Sequence, residues 1–168
     1  MLSKKIQKAL NDQIAAEDYA FHYHLSMASW CDKSGLQGSG KFLYDSSEKE
    51  KQHMMKLFRY VNDAGGHAIV QAVDTPPREF KSISDIFQRT LEHEKLVTKS
   101  INALVDLCLQ EKDYSTFNFL QWYVAEQHEE ERLINSILDL IKIAGVEGRG
   151  LFLIDKEIAK RSEAATTS

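Results

Sequence analysis

The sequence predicts an all-α protein: an up-down four-helix bundle with one long crossover between the second and third helices, followed by a short fifth helix. Apolar residues recur at alternating steps of three and four along four long segments, the spacing of helices that face a core. The 168 residues include only two prolines, which are adjacent, and eight glycines. So few turn residues argue against a β architecture. The length and the balance of 43% hydrophobic and 27% charged residues fit one globular domain, 1–168.

Capping and breaker residues predict the helix ends. Ser3 and Ser82 are good N-caps, because a serine oxygen accepts a hydrogen bond from a free N–H of the first turn. The Gly65-Gly66 pair and Gly145 are typical of helix C-termini. The predicted helices are 3–32, 39–64, 83–110 and 114–144, within a bundle of about 3–144. A short helix at about 151–160 and a frayed polar tail at 161–168 complete the predicted domain.

The lengths of the connections predict the topology. Short breaks join the first helix to the second and the third to the fourth, so each pair should be antiparallel. The connection at 67–81 lacks a helical period and contains Pro76 and Pro77. An extended segment of that length can run back along a helix of ~40 Å. The second and third helices should therefore be parallel.

Each predicted apolar stripe is interrupted near its middle by a carboxylate. The four are Glu17, Glu50, Glu94 and Glu130. Because the midpoints of up-down helices lie at one height, these side chains should converge on one level of the core. Unpaired buried carboxylates are costly, and the stripes contain no Lys or Arg to neutralise them. We therefore predict a metal site at this level.

The residue types around these carboxylates indicate the kind of metal. Glu50 and His53 form a Glu-x-x-His motif, in which both side chains project from one helix face. The motif alone is a weak signal that chance can produce. Gln127 and Glu130 have the same spacing on the fourth helix. An oxygen-rich set with one imidazole and no thiolate suits iron or manganese better than structural zinc.

These positions, and the segment FNFLQWYVAEQHEEE at 117–131, resemble the bacterial non-haem ferritins over nearly the whole chain. The resemblance implies a ferroxidase centre with two irons per subunit. One iron would be held by Glu17, Glu50 and His53. The second would be held by Glu94 and Glu130, with Glu50 bridging and Gln127 nearby.

The resemblance also implies an activity and an assembly. The protein would be an enzyme that oxidises Fe(II) with O₂ or peroxide and stores ferric mineral inside a 24-subunit homo-oligomeric shell, with the fifth helix lining the fourfold axis. Two alternatives are a non-catalytic storage or shell subunit and a diiron oxidoreductase of another ferritin-like type. The lack of a second Glu-x-x-His motif disfavours the latter.

Three departures from related patterns refine these expectations. Lys51 stands where bacterioferritin has its haem-binding methionine, so no haem is expected. Lys49 stands where many of these ferritins have a glutamate that shares a third iron site with Glu126, Glu129 and Glu130. We therefore predict that this third site is weak or absent. His24 stands where a tyrosine is usual.

The histidines outside the Glu-x-x-His motif need separate interpretations. For His24 the sequence favours a hydrogen-bonded core histidine, with an additional iron ligand as the alternative. The others lie off the stripes and are expected to be solvated: His22, His67, His93 and His128.

Charge and targeting signals exclude several classes of partner. The formal net charge is −4, and no cluster of Lys and Arg is dense enough to bind nucleic acid. The N-terminus lacks the apolar core of a signal peptide, and no run approaches the ~20 apolar residues of a membrane helix. Two cysteines exclude a disulfide scaffold. A cytoplasmic protein without a membrane partner is expected.

Overall fold

The computed structural model describes the backbone of residues 2–166 and the side chains of residues 2–162. This part of the chain is helical and contains no strand, which confirms the predicted all-α class. Four long helices form the bundle and a fifth packs against α2 and α4. Their bounds are α1 Lys4–Lys33, α2 Gln37–Asp63, α3 Ile83–Gln110, α4 Tyr114–Ala144 and α5 Gly148–Thr166.

The predicted caps are present. The Ser3 and Ser82 hydroxyl oxygens accept hydrogen bonds from the backbone N–H groups of Ile6 and Asp85, at 3.3 and 3.1 Å. Gly65 and Gly145 adopt φ of +79° and +76°, a region that favours glycine. Local sequence therefore accounts for these helix ends without reference to the rest of the fold.

The N-terminus of α2 is capped from a distance. The Asp155 carboxylate of α5 accepts hydrogen bonds from the backbone N–H groups of Gly38 and Ser39, at 2.9 and 2.8 Å. It also accepts one from the Ser39 hydroxyl, at 2.7 Å. A Cβ at position 38 would lie 2.0 Å from the Asp155 carbonyl oxygen, so only glycine allows this approach. This contact joins α5 to the bundle.

The fifth helix is longer than the predicted 151–160. The frayed tail expected at 161–168 is helical as far as residue 166, and residues 167–168 lie outside the described part of the chain. Arg161 donates a hydrogen bond to the Ser136 hydroxyl of α4, and the Ser162 hydroxyl donates one to Asp45 of α2. Because these partners are remote in sequence, the local composition could not predict that contacts with them extend the helix.

The crossover between α2 and α3 runs along α1. At one end, the Asn11 side chain donates to the His67 carbonyl at 3.0 Å and accepts from the Ile69 N–H at 2.7 Å. At the other end, the Ser26 hydroxyl donates to the Pro77 carbonyl at 2.5 Å. The chain therefore returns along the bundle before α3 begins, and α2 and α3 run parallel as predicted.

The apolar core is divided into two clusters by a polar layer. One cluster lies toward the Met27 end of α1 and includes Phe87 and Ile137. The other lies toward the Ile6 end and includes Leu120. None of the described helices combines the length and apolar character needed to cross a membrane.

Candidate metal centre

The polar layer contains the four carboxylates that interrupt the stripes. Glu17, Glu50 and Glu94 are at least 95% buried, and Glu130 is 9% exposed. Each lies near the middle of its helix, and α1 to α4 have similar lengths. The predicted convergence is therefore present in the structure, with apolar packing on either side.

Glu17, Glu50 and His53 form the tightest group in this layer. One potential ligand atom from each lies within 4.8 Å of those of the other two. The His53 Nδ1 atom lies 3.1 Å from a Glu50 oxygen and 3.8 Å from a Glu17 oxygen. Two carboxylates and an imidazole at this spacing can bind one metal ion.

Two residues that the sequence did not single out as functional hold Glu17 in place. The Gln13 side chain donates a hydrogen bond to Glu17 and accepts one from the Ser100 hydroxyl of α3. Gln13 precedes Glu17 by one helical turn on the same stripe. A polar residue at that spacing is the signal that could have identified it, whereas Ser100 was visible only in the tertiary structure.

Glu94 and Glu130 are the other two carboxylates of the layer. The Gln127 side chain donates to a Glu94 oxygen at 3.0 Å, so its nitrogen orients that carboxylate. Glu130 accepts a hydrogen bond from the Lys49 ammonium group. The structure thus groups Glu17, Glu50 and His53 at metal-binding spacing, and it places Glu94 and Glu130 in the same buried layer without adding them to that group.

Burial sets the protonation of the metal-free centre. Desolvation raises the pKa of Glu50 to about 8, although the hydrogen bond from His53 opposes this shift. Desolvation also raises the pKa of Glu94 well above its ordinary value. Burial opposes the charged form of His53, but its interactions with the Glu17 and Glu50 carboxylates raise its pKa to about 10. A metal ion that binds here must displace protons.

Lys49 lies at the position where the resemblance raised the question of a third iron site. Its ammonium nitrogen is 2.8 Å from a Glu126 oxygen and also contacts Glu130. Burial opposes its charge, but the attraction of Glu130 and hydrogen bonds to both carboxylates raise the pKa of Lys49 above its ordinary value. Glu129 lies apart, on an exposed face, in an ion pair with Arg132. A fixed cation therefore occupies the space between the carboxylates.

Two histidines differ from expectation. His24 is 1% exposed, and none of the described residues hydrogen-bonds either of its ring nitrogens. The favoured prediction of a hydrogen-bonded core histidine is therefore wrong. His93 was expected to be solvated, but its Nε2 atom is buried with no hydrogen-bond partner among the described residues, and its ring packs edge-on against Tyr23. The position of His93 outside the apolar stripe did not predict this burial, which arises because the Tyr19 and Tyr23 rings cover this side of α3.

Four long helices around a buried, carboxylate-rich layer define the class of helical-bundle metal-binding proteins. Comparison with known proteins then gives the family. The family model for the ferritin-like domain, named Ferritin, matches residues 7–144. This chain belongs to the ferritin family of iron-storage proteins.

Individual relatives agree with this assignment. A bacterial non-heme ferritin of Campylobacter jejuni is 51% identical, covering 94% of this chain and 95% of the relative. A probable bacterial non-heme ferritin-like protein of Haemophilus influenzae is 50% identical, covering 98% of this chain and all of the relative. The open-pore ferritin structure from Archaeoglobus fulgidus superposes with a TM-score of 0.92 at 43% identity, covering 95% of this chain and 98% of that one.

Proposed function

We propose that this protein is a ferroxidase that oxidises Fe(II) and stores the ferric product inside a hollow homo-oligomeric shell. The observation that carries the proposal is the buried group of Glu17, Glu50 and His53 at the same level as Glu94 and Glu130. Iron storage is the function of the family. The donor set supports the redox step, because oxygen ligands with one imidazole suit both Fe(II) and the harder Fe(III) ion.

The arrangement suits a two-electron reaction. Two Fe(II) substrate ions, one beside His53 and one beside Glu94, would each release one electron. If O₂ is the oxidant, it accepts both electrons and two protons and becomes H₂O₂. If H₂O₂ is the oxidant, it accepts both electrons and two protons and becomes two water molecules. Glu50 lies between the two groups and would bridge the ions. The protons that Fe(II) displaces from Glu50 and Glu94 are available for this reduction.

Lys49 supports a centre limited to two ions. Its ammonium group contacts Glu126 and Glu130, so a third cation between these carboxylates would meet a like charge. We infer that the third iron site is weak or absent, as the sequence predicts. Anaerobic titration with Fe(II) should give two high-affinity ions per subunit. Three would contradict this inference.

The exposed side of the C-terminal region supports assembly. Phe152 and Leu153 of α5 are 58% and 55% exposed, and Ile143 at the end of α4 is 84% exposed. Exposed apolar side chains on successive helices are suited to burial against copies of the same chain. This pattern supports a homo-oligomer, for which the 24-subunit shell is the proposed form.

The decisive experiment combines size with chemistry. Gel filtration should show a cage, and aerobic addition of Fe(II) should consume O₂ and increase ferric absorbance. His53→Ala and Glu94→Gln should slow oxidation by at least about tenfold, since each removes a direct ligand. Glu92→Gln, an exposed neighbour on the same helix, is the matched control and should retain the wild-type rate.

Two results would overturn parts of the proposal. A cage that takes up iron without O₂ consumption would identify a non-catalytic storage subunit. A monomer or dimer that retains no ferric mineral would exclude storage.

A further inference from the structure

We propose that His24 is a ligand of the second metal ion of the centre, the one beside Glu94, so that each ion of the centre has one imidazole. This inference rests on the proposed function and adds a residue that the ligand set of Glu17, Glu50, His53, Glu94 and Glu130 does not contain.

The first observation is the isolation of the His24 ring nitrogens. Both nitrogens are buried, and no residue in the described part of the chain forms a hydrogen bond with either of them. A buried polar atom without a partner is energetically unfavourable. The rings packed beside it, those of Tyr23 and His93, lie 6.4 and 6.2 Å away between centroids. Packing with these rings leaves the nitrogens unsatisfied.

The second observation is what the two nitrogens face. Nδ1 lies 3.9 Å from a Glu50 oxygen, and Nε2 lies 3.9 Å from a Glu94 oxygen. These distances exceed the upper limit of about 3.2 Å for a hydrogen bond of this kind. Two ligands that are each about 2.1 Å from one ion lie roughly 3–4.2 Å apart. A spacing of 3.9 Å therefore fits two atoms that share a metal ion.

The orientation assigns a role to each nitrogen. Nε2 faces Glu94 and would donate its lone pair to the ion there. Nδ1 would then carry the proton and direct it at Glu50. Metal-binding histidines commonly donate the second ring N–H to a carboxylate, which fixes the tautomer and the ring plane. A metal ion would therefore satisfy Nε2, and a small shift of Glu50 on metal binding would bring its oxygen within hydrogen-bonding distance of Nδ1.

The ligand role explains why the position tolerates an unsatisfied imidazole. His53 provides nitrogen on the Glu17 side, and the other predicted residues provide oxygen or, in Gln127, orient Glu94. His24 reaches the Glu94 side from α1, a different helix from the one that carries His53. The chain thus provides a second nitrogen ligand without a second Glu-x-x-His motif.

Anaerobic titration with Co(II), followed by calorimetry and visible absorption, tests the inference without turnover. The wild-type protein should bind two Co(II) per subunit. His24→Phe, which keeps a ring but no lone pair, should weaken one of the two by at least about tenfold, since a lost direct ligand costs no less than a lost supporting contact. The absorption spectrum of that Co(II) should change. His53→Phe is the matched variant and should weaken the other Co(II).

The metal-free proteins provide a second readout. Replacing a hydrogen-bonded structural histidine with Phe would lower the thermal midpoint, whereas replacing an unpartnered histidine should not. His24→Leu repeats both measurements if the Phe variant does not assemble. Unchanged Co(II) affinities and spectra in an assembled His24 variant would overturn the inference alone. A wild-type cage that binds no Co(II) at these carboxylates would overturn it together with the proposed function.

Discussion

The metal-free protein should lose stability as the pH rises from 6.5 to 8, because groups of the centre that include Glu50 and His53 hold protons that the unfolded chain releases. Glu50 has a folded pKa of about 8 against an ordinary value of 4.5. His53 has one of about 10 against 6.5. A raised folded pKa contributes stability that is complete below the unfolded value and is lost as the pH rises toward the folded value. For both groups, the pH range over which this stability is lost includes the interval from 6.5 to 8.

The size of the effect follows from the number of protons. Each proton retained only in the folded state changes the free energy of unfolding by about 1.4 kcal/mol per pH unit. Over this interval each group accounts for roughly 2 kcal/mol, and the two together for roughly 2–4 kcal/mol. For a subunit of this length that range corresponds to a fall of roughly 5–15 °C in the thermal midpoint.

The assay is differential scanning calorimetry of chelator-treated cages at one protein concentration and scan rate. Glu50→Gln removes one of these groups and should reduce the pH slope. Saturating Co(II) should reverse the slope, since deprotonated ligands bind metal more tightly at higher pH. A wild-type midpoint that stays constant or rises between pH 6.5 and 8, or an unchanged slope in Glu50→Gln, would refute the reasoning.

Three further substitutions test other parts of the molecule. Lys49→Glu should replace the fixed cation with a carboxylate and raise the number of Fe(II) bound anaerobically from two per subunit to three; Lys51→Glu, more exposed on the same helix, should not. Gly38→Ala should lower the thermal midpoint by disturbing the contact between α2 and α5, since the new Cβ would meet the Asp155 carbonyl. Ile137→Ala, at a fully buried site, should reduce the free energy of unfolding by about 2–5 kcal/mol in chemical denaturation.

Much of this architecture was visible in the sequence because it depends on local, repeating features. Helical period, serine caps and glycine stops are read within a few residues, and they predicted α1, α3 and α4 to within one or two residues. The stripe positions of Glu17, Glu50, Glu94 and Glu130 predicted their shared level because the helices have nearly equal lengths. Helix geometry converts sequence spacing into height, so a buried layer can be predicted before its side chains are seen.

Contacts between distant segments were decided only by the tertiary structure. The extension of α5 depends on Arg161 and Ser162, whose partners lie on α4 and α2. His24 is the clearest case at the centre. The sequence placed it on a core stripe, but only the fold shows that its nitrogens face Glu50 and Glu94 from other helices without hydrogen-bonding either. Periodicity specifies which face of a helix is buried; what that face meets depends on how the helices pack.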